Sequence, residues 1–174
     1  APNLAEHVVT YLEDESPVIR RFAIGGLLRL KDTGSLGAIL RAAANDDDWW
    51  VREQAVQSAA ELGDPRAVPY IKKLVLERTD LRIAGIEALQ YLEANDELLE
   101  LAELAGDDDP NVRHAVLKML REHPRGREAS FYVQTCVGDP EPRVAKLARE
   151  LLAQWEVAVQ RETEAAALGL VDRL

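Results

Sequence analysis

Three histidines, one cysteine and two runs of aspartate are the residues of this 174-residue chain whose side chains could carry out catalysis or bind a metal ion. His7, His114 and His123 each lack a second histidine four residues away, the spacing with which one helix face holds a metal. The only cysteine, Cys136, excludes an intrachain disulfide and a cysteine-based zinc site. We therefore expect no catalytic residue, no metal and no cofactor.

The aspartate runs, residues 46–48 and 107–109, could suggest calcium, but they lack the alternating aspartates, the glycine and the distal glutamate of a calcium loop. Each run instead precedes an arginine that belongs to a regular series. Its steps are 32, 30, 31 and 30 residues, which is the period of a helical repeat protein. The members of the series are Arg20, Arg52, Arg82, Arg113 and Arg143.

Each arginine lies near the start of a segment with apolar residues three and four positions apart, which predicts an amphipathic helix. In the first segment the predicted core positions are Ile19, Ala23, Leu27 and Leu30. Glycine, proline and polar residues then interrupt the pattern, and a second helix follows in each repeat. The predicted second helices are residues 35–45, 66–78, 96–105 and 127–137.

The repeats predict one all-α domain over residues 1–174. It contains a half repeat at 1–13, four repeats at about 14–45, 46–78, 79–106 and 107–138, and a terminal helix. No glycine or proline interrupts the last helical pattern until Gly169, so we expect one long helix within about 139–168.

The second repeat carries a recognisable motif: Asp48-Trp-Trp-Val-Arg52-Glu-Gln-Ala, followed by Leu-Gly-Asp64-Pro-Arg-Ala. This motif resembles the short, about 30-residue HEAT-like repeats of the phycobilisome-lyase type. The resemblance implies an α-solenoid, a right-handed superhelix of about five helix pairs. It also implies that the five arginines form a structural ladder to acidic turns, and that the second helices line the concave face.

Side chains on that expected concave face are candidates for binding a partner. The face would be small or basic in the first repeat, acidic in the third and aromatic in the fourth. Trp49 and Trp50 are further candidates; as neighbours on a helix they cannot both face the core, so we expect one to pack between repeats and the other to be exposed. The candidates from the second helices are Arg41, Tyr70, Lys73, Glu77, Glu100, Glu103 and Tyr132.

The formal net charge of −10 disfavours nucleic acid and anionic membranes as partners, because binding to both depends on neutralising negative charge. Residues 1–10 show no signal peptide and no apolar run is long enough for a membrane span, so we expect a cytoplasmic protein.

The predicted function is a non-catalytic scaffold or adaptor that binds another protein through the concave face. The resemblance leaves two alternatives. One is a phycobilin-lyase-like subunit or chaperone that acts on a chromophore-carrying protein. The other is a DNA-lesion glycosylase of the HEAT-like kind, which the acidic charge disfavours.

Overall fold

A computed structural model describes residues 3–171, which form helices and turns with no strand among them. The helices divide into two compact units, residues 1–98 and 99–174. Within residues 3–171, none of the helices is both long and apolar enough to cross a lipid bilayer.

The first unit contains three helix pairs in sequence. Short 3₁₀ turns at 10–13, 33–35, 65–67 and 79–81 lie next to its α-helices. Its helices are α1 (Leu4–Val9), α2 (Pro17–Leu30), α3 (Leu36–Asn45), α4 (Trp49–Glu61), α5 (Val68–Glu77) and α6 (Arg82–Tyr91). A further short helix, α7 (Asn95–Glu100), includes the division at 98/99.

The second unit pairs α8 (Pro110–Glu122) with α9 (Ser130–Thr135) and ends in α10 (Pro142–Val171), a single helix of 30 residues. Two second-helix segments depart from the expected boundaries. Residues 101–106 and 126–129 form 3₁₀ turns rather than α-helix, which leaves α7 and α9 with six residues each.

Local sequence explains where the first helices begin. The Asp48 carboxylate accepts hydrogen bonds from the backbone N–H groups of Trp50 and Val51, so it caps the start of α4. Asp109 caps α8 in the same way through Asn111 N–H. Pro17 and Pro110 occupy first-turn positions, where a missing N–H group leaves no hydrogen bond unmade.

The core is aliphatic in both units. In α2, however, the buried stripe is Arg20, Ala23, Ile24 and Leu27, so the expectation that Ile19 and Leu30 face the core is wrong. The reason is the arginine itself: it lies at the inner edge of the helix, which turns position 19 outward. The largest fully buried side chains of the chain are Ile24, Leu27, Ile39, Ile71, Leu81, Ile86, Leu89, Leu101, Leu117, Met119, Leu120 and Leu151.

Gly126, at the turn between α8 and α9, lies so close to α8 that a Cβ atom there would overlap the carbonyl oxygen of Leu120. We predict that Gly126→Ala lowers the free energy of unfolding by about 2 kcal/mol or more, because a backbone group cannot move aside cheaply. Gly106→Ala is the matched control, since its Cβ would meet no atom within 4 Å. Urea unfolding of both variants tests this, and equal stabilities would contradict it.

Candidate functional site

Three of the five repeating arginines make the same set of hydrogen bonds. Arg113 donates from Nε and Nη2 to the two carboxylate oxygens of Asp139, at 2.7 and 2.8 Å. Its Nη1 donates to the carbonyl oxygens of Asp107 and Asp108, at 2.8 and 3.0 Å. One side chain therefore joins the turn before its own helix to the turn of the following repeat.

The same arrangement links the first two repeats through Asp46. The Asp46 carboxylate accepts two hydrogen bonds from Arg20, at 2.8 and 2.7 Å. Its backbone carbonyl accepts a hydrogen bond from Nη1 of Arg52 at 2.8 Å. Arg52 in turn donates to the Asp80 carboxylate at 3.0 and 2.6 Å. Consecutive arginines thus share one acidic turn, which is a ladder in geometry.

Arg82 and Arg143 depart from this arrangement. Arg82 Nε donates to the Val75 carbonyl oxygen at 3.4 Å. Arg143 donates to the Asn111 side-chain oxygen at 2.6 Å and lies 3.4 Å from Glu141, with about half of its side chain exposed. The regular spacing of the sequence therefore conceals two kinds of environment.

The ladder carboxylates are held in their charged form. The hydrogen bonds from Arg113 keep the pKa of Asp139 below its usual value, although burial opposes the shift. Burial would raise the pKa of Asp46, but the hydrogen bonds from Arg20 and the Asp48 N–H group outweigh it, and the pKa is lowered. These groups stay ionised at neutral pH and serve packing rather than proton transfer.

The three histidines and the cysteine occupy different environments. His114 is half-buried, and burial together with Arg143 and Lys118 lowers its pKa. His123 is buried, and its Nδ1 accepts a hydrogen bond from the Arg125 N–H group. The buried Cys136 thiol donates to the Ala105 carbonyl oxygen at 3.2 Å, and burial raises its pKa.

His7 is exposed and packs edge-on against Tyr11, with ring centroids 5.7 Å apart. Across residues 3–171, no three His, Cys, Asp or Glu side chains lie close enough together to hold a metal ion.

The second helices of the first unit border a cavity of about 490 Å³, here called the α3–α5 cleft. Leu36 and Leu40 form part of its apolar lining, and Arg41 and Tyr70 project beside them. The Tyr70 side chain is 60% exposed. The structure therefore brings together two residues that the sequence predicted separately for the binding face.

The other predicted second-helix candidates do not line this cleft. Lys73 and Glu77 form an exposed ion pair of 3.8 Å on α5. Glu100, Glu103 and Tyr132 belong to the second unit, and all three are exposed.

Two exposed phenylalanines were not among the binding candidates predicted from the sequence. Phe131 is 73% exposed and packs edge-on against Tyr132, with ring centroids 5.6 Å apart. Phe22 is 71% exposed on α2. A local signal existed for Phe22: it lies at a position that the stripe beginning at Arg20 leaves facing outward.

Neither Trp49 nor Trp50 is buried between repeats, although the Trp50 ring contacts Arg21 of the preceding repeat. Both are exposed, at 61% and 51%, and their rings stack on each other with centroids 6.0 Å apart and planes at 14°. The core at this end of α4 is closed by the small side chain of Val51 and by Ala55, so neither indole is needed there. Arg21 on α2 covers the Trp50 ring at 3.4 Å from its centroid.

We predict that Arg113→Ala lowers the free energy of unfolding by about 3 kcal/mol, because it leaves the Asp139 carboxylate without its partner in a site where that side chain is only 6% exposed. Arg143→Ala is the control, with an expected loss of about 0.5 kcal/mol or less, since Arg143 is half-exposed. Denaturant unfolding of the two variants at pH 7 measures both, and equal losses would refute the distinction.

Acid titration gives a second readout of the same contact. An aspartate whose pKa is lower in the folded state stabilises the fold at pH values above its unfolded pKa of about 4. This stabilisation is lost as the pH falls through the folded pKa. We expect the parent to lose stability as the pH falls below the unfolded pKa. The Arg113→Ala variant should lose less, because its Arg113–Asp139 contact is already absent. If the free energy of unfolding falls equally with pH in the parent and the variant, Asp139 is not coupled to Arg113.

Comparison with known proteins places the fold. A family model described as HEAT repeats matches residues 5–90. No curated protein matches the sequence significantly. The fold is similar to the complex of CpcE and CpcF of phycocyanin lyase from Nostoc sp. PCC7120, with a TM-score of 0.60 and 22% identity. That likeness covers 88% of this chain and 66% of the other, so this chain spans just under two thirds of the solved one.

An engineered protein is also similar, with a TM-score of 0.52 and 15% identity, over 87% of this chain and 79% of that one. Both identities are low, so these likenesses establish the fold alone. The helix pairs, the arginine-linked turns and the match over residues 5–90 together identify this first part of the chain as HEAT repeats.

Proposed function

We propose that the protein is a non-catalytic scaffold that binds a segment of another protein in the α3–α5 cleft. The observation that carries the proposal is the position of Arg41 and Tyr70 beside the apolar lining of one cavity of about 490 Å³. An exposed tyrosine and an arginine next to apolar surface are the residues most often found to anchor protein interfaces.

The charge of the cleft supports this reading. Within residues 3–171 the Arg41 guanidinium pairs with no carboxylate, and the other lining arginine, Arg66, is bound to Asp64 at 2.5–3.0 Å. The Arg41 guanidinium can therefore donate two parallel hydrogen bonds to a carboxylate of the partner. Leu36 and Leu40 would pack against an apolar side chain next to that carboxylate. The net charge of −10 makes this a local basic site on an acidic protein.

The chemistry of the remaining residues supports a binding role over a catalytic one. The ladder carboxylates are occupied by arginine, and the single thiol is buried with a raised pKa. A nucleophile needs access to a substrate, and the Cys136 thiol is buried.

The test is affinity capture from the source lysate with the Arg41→Glu/Tyr70→Ala variant. We expect at least about a tenfold loss of specifically captured protein, since removing an anchor and reversing a contact charge costs about 2 kcal/mol or more. Quantitative mass spectrometry of the captured proteins measures the loss.

Tyr91→Ala/Arg121→Glu is the matched control, because Tyr91 is a similarly exposed tyrosine and Arg121 an exposed arginine on other helices. Circular dichroism is the measurement that checks whether both variants are folded. If the cleft variant retains the same partners as the parent, the cleft is not the binding site.

A second candidate function is a phycobilin-lyase-like subunit or chaperone that handles a chromophore. Its support is the fold likeness to the phycocyanin lyase complex together with the size of the α3–α5 cleft, which falls in the range of small-molecule sites. Arg41 could then hold a carboxylate of the bilin.

Mixing the protein with a free phycobilin tests this candidate. Binding in the cleft would shift the visible absorption band of the bilin. The affinity measured from this shift should fall by about tenfold in Arg41→Glu/Tyr70→Ala, because this variant removes the cation and the ring. An unchanged spectrum at a high protein concentration would remove the candidate and leave the scaffold proposal intact.

A further inference from the structure

The first helices of the same unit border a different cavity of about 500 Å³, here called the α2–α4 groove. Its lining residues are Val18, Arg21, Phe22, Gly25, Arg29 and Gln54, with two cations and no acidic residue among them. Val18 and Phe22 are largely exposed. The groove thus presents apolar and cationic groups together, on helices that the proposed function does not use.

Arg21 is held in place without a carboxylate. Its guanidinium lies over the Trp50 ring, in the range of a cation–π contact. Its Nε donates to the side-chain oxygen of Gln54 at 3.2 Å, and the Gln54 amide donates back to the Arg21 carbonyl oxygen at 3.3 Å. The Trp49 ring stacks on that of Trp50, with centroids 6.0 Å apart. The positive group is therefore oriented before any ligand arrives.

Neither Arg21 nor Arg29 forms an ion pair within the described part of the chain. Both lie on α2 and are separated by two steps of four residues, with Gly25 between them. At 1.5 Å of rise per residue, the two arginines stand about 12 Å apart along the helix axis. The groove is therefore complementary to two carboxylates at about that separation, next to an apolar group.

The far end of α10 carries the matching pattern. Up to residue 168, the last fully buried residue of α10 is Leu151, and most of the side chains after it are exposed. Glu156, Gln160 and Glu164 follow one another at four-residue steps, so the carboxylates are also about 12 Å apart. Gln160 donates to Glu164 at 3.0 Å, and the exposed Val157 lies beside Glu156.

These carboxylates are available for a partner. No cation pairs with Glu156 or Glu164 within residues 3–171, whereas Glu162, on another side of the helix, is bound to Arg127 at 2.9–3.0 Å. A helix end with few packing contacts gains stability when a neighbour covers it.

We propose that the chain self-associates by placing this stripe of α10 in the α2–α4 groove of a second copy. Glu156 and Glu164 would pair with Arg21 and Arg29, and Gln160 would occupy the space that Gly25 leaves. The rows at four-residue spacing on both helices are the ridges that pack most often in globular proteins. The contact joins two different surfaces, so it can repeat from copy to copy. It is independent of the α3–α5 cleft.

Sedimentation velocity at rising protein concentration tests the proposal. One helix in one groove is a small interface, so we expect association with a midpoint on the order of 100 μM, weakened by salt. Arg21→Glu/Arg29→Glu should weaken it by about tenfold or more, because like charges then face each other. Glu156→Lys/Glu164→Lys should weaken it as much, although this change reduces the net negative charge and would otherwise favour association.

A mixture of the two variants separates this contact from a general charge effect. Each variant alone opposes like charges, but the mixture restores the native pairing between the groove of one and the helix of the other. We therefore expect the two variants to associate with each other in equal proportions, with an affinity close to that of the parent. Lys118→Glu/Arg121→Glu, which changes two exposed cations on α8, controls for added negative charge and should self-associate like the parent.

Circular dichroism and thermal melting establish that each variant is folded, and Arg21→Gln/Arg29→Gln replaces a variant that is not. Three results would overturn the proposal: a parent that stays monomeric over the whole range, charge variants that associate as the parent does, or a mixture that associates no better than its components.

Discussion

The hydrogen bonds by which Arg20, Arg52 and Arg113, each at the start of a first helix, reach the acidic turn of the next repeat are the contact on which the rest of the structure depends. A guanidinium donates in several directions at once and keeps its charge at any physiological pH. In Arg20, Arg52 and Arg113 these donors satisfy two carbonyl oxygens and a carboxylate. Such turns could not be brought this close without a cation, because partly buried carboxylates would be left unpaired.

This contact also decides what chemistry is left to the protein. It pairs the carboxylates of Asp46 and Asp139 with arginine and keeps the pKa of both below its usual value. Two sets of arginines that have no carboxylate partner among the described residues lie in the first unit: Arg41 beside Tyr70 on the second helices, and Arg21 with Arg29 on the first. Each combines a guanidinium with exposed apolar or aromatic surface, on a chain that is otherwise strongly acidic.

The arginine period and the spacing of apolar residues were enough to predict helix pairs, and the helices begin close to the expected residues. The binding candidates were predicted less completely. Arg41 and Tyr70 meet in one cleft, as residues on neighbouring second helices should. The environment of the tryptophans was missed, because Val51 and Ala55 already close the core and leave Trp49 and Trp50 outside. Phe22 was missed because its direction depends on how α2 is rotated.

The sequence alone determined the helical repeat and its period, since these follow from local spacing, capping residues and turn residues. It also indicated the repeat type, because the motif around Arg52 combines all three, and the match to HEAT repeats covers that motif. Only the tertiary structure decided the rotation of each helix about its axis, and that rotation depends on which side chains fill the space between neighbours. It therefore decided that Arg20 is buried while Arg21 covers Trp50, although the two residues are adjacent and identical in type.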